Sequence, residues 1–198
     1  MDWDAYYAAT DGRPPRPTLI AALDAFAAEG RTPGLAVDLG CGGGRDAAEI
    51  LRRGWRLIAI DSAPAALAPL LPLLDAEAKG RLELRIEAME AASWPPADLI
   101  NASFSLPLCP PTAFPALWAR IRGSLRPGGR FSGQLYGPRD DFASRADITT
   151  LERSAVEALL DGMTVERLDE EEDESQTPRG RLKRWHIFHV VARRPMEE

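Results

Sequence analysis

Val37-Asp38-Leu39-Gly40-Cys41-Gly42-Gly43-Gly44-Arg45 is the stretch that decides how this chain is read, because it sets a cluster of glycines directly after a short apolar run. Leu35 to Leu39 has the composition of a strand buried on both faces. Glycine lacks a Cβ, so the backbone beyond it can turn tightly and lie against a ligand. Asp46 to Arg53, ended by Gly54, reads as a helix. Its unpaired N–H groups and positive dipole end would face whatever docks on the turn.

Working outward, the same alternation continues. Trp55 to Ile60 is expected as a second strand ending at Asp61, Ala65 to Lys79 as a helix ended by Gly80, and Leu82 to Ile86 as a third strand. Asp98 to Ser103 reads as a fourth strand and Ala113 to Leu125 as a helix stopped by Pro127-Gly128-Gly129. Arg130 to Leu135 reads as a fifth strand. Such βαβαβ order calls for a parallel sheet covered by helices on both faces, since each right-handed crossover carries the chain over one face and back. After a helix at Glu152 to Leu160, Thr164 to Leu168 and Trp185 to Ala192 are separated only by a charged loop, too short for a crossover, so they should pair as an antiparallel hairpin. The expected fold is a single α/β domain, doubly wound around a mostly parallel seven-stranded sheet. Ahead of it, Leu19 to Ala28 reads as a helix after the proline-broken segment Arg13 to Pro17, with residues 1–30 forming a lid or cap.

The chain has 198 residues, 45% hydrophobic and 27% charged, the balance of one ordinary globular domain. A net charge of −6 and a pI near 5.1 argue against nucleic acid as a partner, because phosphate neutralisation needs clustered lysine and arginine. Two cysteines, Cys41 and Cys109, give neither a disulfide framework nor zinc spacing, and no metal site is expected. No apolar run reaches membrane-spanning length and the N-terminus lacks the pattern of an export signal, so the reading is cytoplasmic, without a membrane partner. The oligomeric state stays open.

Asp61 follows Gly40 by 21 residues, at the end of the second strand, where a carboxylate can accept hydrogen bonds from a ribose diol. Glycine loop and acid together describe a nucleoside pocket. The plainer alternative is that the glycines end a strand while Asp61 caps a helix with Ser62. Dinucleotide binding is the stronger rival, but G-x-G-x-x-G read from Gly40 would need glycine at 45, where Arg45 stands.

VDLGCGGG, IAIDSAP and LRPGG together resemble motif I, the acidic loop and the post-motif turn of class I S-adenosylmethionine-dependent methyltransferases, over roughly residues 33–136. SFSLPLCPP followed by LWARIRGSLRPGGRFSGQLYG is similar to the small bacterial branch that includes the tellurite-resistance methyltransferases. The resemblance implies a Rossmann-like fold, S-adenosylmethionine as cofactor and methyl transfer to an acceptor. It implies that Asp38 and Gly40 help hold the methionine amino group and that Gly42 lets the cofactor lie close, with Asp61 on the ribose. It puts Glu87, Ala88 and Met89 at the adenine, with Glu90 a rival acid, and Ser103 and Phe104 beside the methyl group.

Ligands of open α/β sheets bind outside the carboxyl ends of the parallel strands, which sorts the remaining candidates. His186, Asp140 and Asp141 are the candidate proton acceptors at that edge. Against this, a strand histidine alternating with Ile187 and Phe188 can equally satisfy a buried contact, and Gly137 to Asp140 reads as an ordinary turn. His189 reads more plainly still, and the run Asp169 to Glu174 as a solvated loop. Trp3, Tyr6 and Tyr7 could close over the cofactor or simply pack, and Arg13 and Arg16 could reach the methionine carboxylate. Asn101-Ala102-Ser103-Phe104 is not an Asn-Pro-Pro-Tyr sequence, which disfavours nucleobase amino methylation and leaves a small-molecule acceptor. An NAD-dependent oxidoreductase and a noncatalytic cofactor-binding module remain the alternatives.

Overall fold

The computed structural model describes residues 12–177 and 180–196. Trp3, Tyr6 and Tyr7 lie outside the described residues. Elements are α1 (Pro17–Ala28), β1 (Leu35–Leu39), α2 (Arg45–Arg52), β2 (Arg56–Asp61), α3 (Ala76–Gly80), β3 (Leu82–Ile86), β4 (Ala97–Ala102), α4 (Phe114–Ser124), β5 (Leu125–Tyr136), α5 (Arg153–Leu159), β6 (Thr164–Gln176) and β7 (Leu182–Arg193). Seven strands form one sheet in the order β3-β2-β1-β4-β5-β7-β6. The first five run parallel, β7 runs antiparallel to β5, and β6 antiparallel to β7. The strand order reverses between β1 and β4, so a crevice opens there at the carboxyl edge.

Alternate residues of the inner strands feed two cores. Leu35, Val37 and Leu39 pack with α4 and α5 through Leu117, Trp118, Ile121 and Val156. Ala36, Leu57 and Ala59 pack on the opposite face with α1 and α2, through Leu19, Leu23, Phe26, Ile50 and Leu51. Asp38 shares the α1–α2 face with Ala36, since strand side chains alternate. Arg130, 1% exposed on β5, pairs with Glu29, the residue that follows α1, and, at 2.7 Å, with Glu166 of β6, tying the end of the N-terminal helix to the antiparallel edge.

Two local expectations are corrected. Ala65 to Lys79 is not one helix: it is a turn, a short 3₁₀ segment at Leu71–Leu73 and the brief α3, because Pro69 and Pro72 remove amide donors and crowd the preceding turn. The turn packs instead on the glycine loop, where the Leu67 amide donates to the Gly42 carbonyl at 2.8 Å. The acidic run Asp169 to Glu174 is not a loop but part of β6, paired with β7 from Thr164↔Arg193 to Gln176↔Leu182. β6 is an edge strand with most side chains in water, where like charges oppose sheet-to-sheet association. Because β5 meets β7 only from Ile187 onward, residues 182–186 and their β6 partners overhang the carboxyl edge.

Candidate active site

β1 ends in a turn that only glycine makes without strain. Gly40 has φ +69°, and its amide donates 2.7 Å to the Ile60 carbonyl, binding the turn to β2. A Cβ there would overlap the Cβ of Ser105, so Gly40 is also a point of close approach between the β1 and β4 loops. Gly44, at φ +92°, starts α2. The Asp61 carboxylate spans the next step, accepting from the Gly42 amide at 2.9 Å and the Ala63 amide at 2.8 Å.

Beneath this turn Asp38 is 2% exposed. Its Oδ1 accepts from Asn101 Nδ2 at 2.8 Å, while its Oδ2 has no hydrogen-bond partner among the described residues. Burial first, and then the neighbouring Asp46 carboxylate, push its pKa up to about 8. Asp46, at the start of α2, accepts from the Arg16 amide at 2.9 Å and from Asn101 at 3.1 Å.

At the end of β4, Phe104 takes φ +59°, a conformation that bulky side chains avoid. Its amide donates to Gln134 Oε1 at 3.1 Å, and Gln134 in turn donates to Thr18 Oγ1 at 2.8 Å, so strand β5 and helix α1 jointly hold the strained residue. Strain held by surrounding structure is characteristic of functional sites. The Arg16 guanidinium lies 4.1 Å from the Phe104 ring centre.

These elements border a cavity of about 650 Å³. Gly40, Gly42, Asp61, Ala88, Met89 and Ser103 line it, together with Arg13, Arg16 and Phe104. Glu90 is on the wall, whereas Glu87 is not. Across the cavity stand Tyr136, Phe142, Trp185 and Asp141, with Arg181 and Lys183 from the overhanging hairpin.

Of the three proton-acceptor candidates, only Asp141 lines the cavity; its Oδ2 accepts from the Arg184 amide at 3.0 Å. His186 does not line the cavity. Lys183, Trp185 and Ile187 present to the cavity, and strand alternation turns His186 the other way. There it is 1% exposed, with Nδ1 accepting from the Arg139 amide at 3.2 Å and Nε2 2.9 Å from Glu170. Its ring packs so closely on Gly137 that a Cβ there would overlap it. His189 pairs with Glu171 at 2.8 Å. Asp140 is buried off the cavity, with both oxygens 2.6 Å from Lys183 Nζ. Glu170, Glu172 and His186 bring ligand-type atoms within 4.8 Å of one another, but Arg139 already bonds both carboxylates.

Lys183 was not singled out from sequence. Its Nζ lies 3.4 Å from the Trp185 ring centre, 4.3 Å from that of Phe142 and 4.9 Å from that of Tyr136. Desolvation lowers its pKa, against the opposing pull of Asp140. The remaining nucleophile types are inert here: burial pushes the Cys109 thiol up to about 11, and Cys41 well above the usual thiol range.

Comparison with known families agrees with this geometry: residues 36–129, just under half of the chain, match the family described as "Methyltransferase domain". Over those residues the chain is similar to methyltransferase domains. Solved structures share its fold. TehB from Haemophilus influenzae superposes with a TM-score of 0.72 at 16% identity over 88% of this chain, which spans only 61% of that protein. The 1,6-didemethyltoxoflavin-N1-methyltransferase of Burkholderia thailandensis gives 0.64 at 24% identity, covering 97% of this chain and 84% of that one. The N-methyltransferase NodS of Bradyrhizobium japonicum gives 0.67 at 16%, covering 98% and 96%. No curated protein matches the chain in sequence. No helix among its described residues is long and apolar enough to cross a membrane.

Proposed function

We propose that the chain transfers the methyl group of S-adenosylmethionine to a small-molecule acceptor. One observation carries this reading: a single cavity joins the glycine turn and Asp61 at one end to an aromatic-walled space at the other. The cofactor brings a sulfonium-bound methyl group that is electrophilic without activation by the protein. The residues present fit it. Gly40 and Gly42 leave the turn free of side chains, and the Oδ2 of Asp38, behind that turn rather than on the cavity wall and without a partner among the described residues, suits a cationic amino group. Asp61, on the cavity wall at the end of β2, is assigned to the ribose hydroxyls. Ala88 and Met89 flank the space for adenine, and of the two acids Glu90 faces it. Glu87 is not assigned that role. Ser103 and Phe104 border the join between the two ends, where position and exclusion of water do most of the catalytic work.

Proton acceptance, where an acceptor requires it, is assigned to Asp141, because His186 and Asp140 do not reach the cavity. Arg13 and Arg16 at the rim are positioned for the methionine carboxylate, and the segment carrying them closes one side of the site. A small acceptor accords with the chain's net charge of −6 and with the Burkholderia thailandensis structure, whose description pairs 1,6-didemethyltoxoflavin with S-adenosylhomocysteine. Incubation with methyl-labelled S-adenosylmethionine and cell extract tests this: label is expected in the low-molecular-mass fraction. Label confined to nucleic acid or protein would overturn the small-molecule reading.

A further inference from the structure

The cavity end that the cofactor residues leave over has a definite chemistry. Phe104, Tyr136, Phe142 and Trp185 meet there as one aromatic group: Phe104 lies 6.3 Å from Tyr136 and 6.4 Å from Trp185, and Tyr136 lies 6.3 Å from Phe142 and 6.2 Å from Trp185 between ring centres. Such walls offer flat, polarisable faces to a ring. A buried ammonium, Lys183, backs three of them, held by Asp140 at 2.6 Å. At the tip of the overhanging hairpin, Arg181 faces the same space, and its guanidinium has no hydrogen-bond or ion-pair partner among the described residues. By contrast the other acceptor-side charges are engaged: Arg145 with Asp147 at 2.6 Å, Glu171 with His189, and Asp141 with the Arg184 amide.

We propose that this end of the cavity takes a planar aromatic or heteroaromatic acceptor carrying a negative charge, its ring against the Phe104–Tyr136–Phe142–Trp185 wall and its anionic group paired with Arg181. The inference rests on the methyl-transfer reading and names the acceptor class for it. The overhang of β6 and β7 acquires a purpose on this view, because it brings Arg181 to the cavity that the aromatic wall lines. A guanidinium also suits a planar anion such as a carboxylate, which it bonds through two parallel N–H groups.

The test uses the whole chain saturated with S-adenosylhomocysteine and three probes followed by calorimetry: naphthoate, naphthalenemethanol and cyclohexanecarboxylate. Naphthoate is expected to bind about tenfold or more tightly than either of the others, the scale of one charge-assisted contact or one aromatic contact. Arg181→Ala, at an exposed hairpin tip, should abolish the preference for naphthoate over the alcohol while leaving S-adenosylhomocysteine affinity unchanged. Trp185→Leu should weaken both naphthalenes and spare cyclohexanecarboxylate, with Phe142→Leu as the substitute if that variant does not fold. Equal binding of the three probes, no binding of naphthoate, or an unaltered preference in Arg181→Ala would overturn the proposal. Failure of S-adenosylhomocysteine itself to bind would instead bring down the methyl-transfer reading on which it stands.

Discussion

Gly40→Ala is the substitution whose consequences the geometry sets most tightly. At φ +69° an L-residue pays about 1 to 2 kcal/mol for the left-handed conformation. The new methyl would also overlap Ser105 Cβ and lie 3.1 Å from its Oγ, adding about 1 to 3 kcal/mol of overpacking. Ser105 cannot yield freely, because its hydroxyl donates to the Leu39 carbonyl at 2.5 Å and its neighbour is the strained Phe104. The sum, about 2 to 5 kcal/mol, corresponds to a Tm fall of roughly 5 to 15 °C for a chain of this size. Affinity for S-adenosylhomocysteine should fall with it, since the turn that moves is the one proposed to meet the cofactor. Thermal unfolding with and without S-adenosylhomocysteine reads both effects. Adding Ser105→Gly removes the overlap but not the φ penalty, so the double variant should recover part of the loss. A Gly40→Ala protein with unchanged Tm and unchanged affinity would refute the argument.

Asp61→Ala should weaken S-adenosylhomocysteine binding by about 1 to 3 kcal/mol in a folded protein, and an unchanged Kd would remove Asp61 from the ribose. Asp38, with its pKa raised to about 8, holds a proton in the folded state between pH 4 and 8 that the unfolded chain has lost; its contribution to stability therefore declines as pH rises through that window and levels off above it. Pairing with the amino group needs the carboxylate, so S-adenosylhomocysteine affinity should rise by up to tenfold per unit from pH 6 to 8 and flatten in Asp38→Asn; a flat wild-type titration contradicts this. His186→Asn should cost about 1 to 3 kcal/mol of stability through its lost contacts with Arg139 and Glu170, while the pH–rate profile keeps its shape. A hundredfold fall in turnover at unaltered Tm would return His186 to the chemistry.

How much was legible in the sequence follows from how local each signal is. The β1–glycine–α2 unit and Asp61 were readable because the constraint sits in neighbouring residues: an apolar strand, a turn needing positive φ, and an acid at the end of the next strand. The broken segment after β2 was readable in principle, since Pro69 and Pro72 stand in plain view, but the apolar pattern of Ala65 to Leu74 outweighed them. The placement of His186 off the cavity was hidden for a different reason. Which face of a strand meets the site is a matter of one-residue parity, fixed by pairing with β5 and not by anything within β7. The same parity brings Lys183 and Trp185 into the wall. That they meet Tyr136 and Phe142 depends on the overhang of β6, hidden because its acidic residues read as loop when they are the exposed face of an edge strand.

The central claim is that the glycine turn and Asp61 bind an S-adenosyl nucleoside rather than a dinucleotide. Calorimetric titration of the whole protein with S-adenosylhomocysteine, and separately with NAD, tests it most directly. The account predicts saturable one-to-one binding of S-adenosylhomocysteine, lost or weakened in Asp61→Ala, and no heat of binding with NAD. Saturable binding of NAD with none of S-adenosylhomocysteine would contradict it.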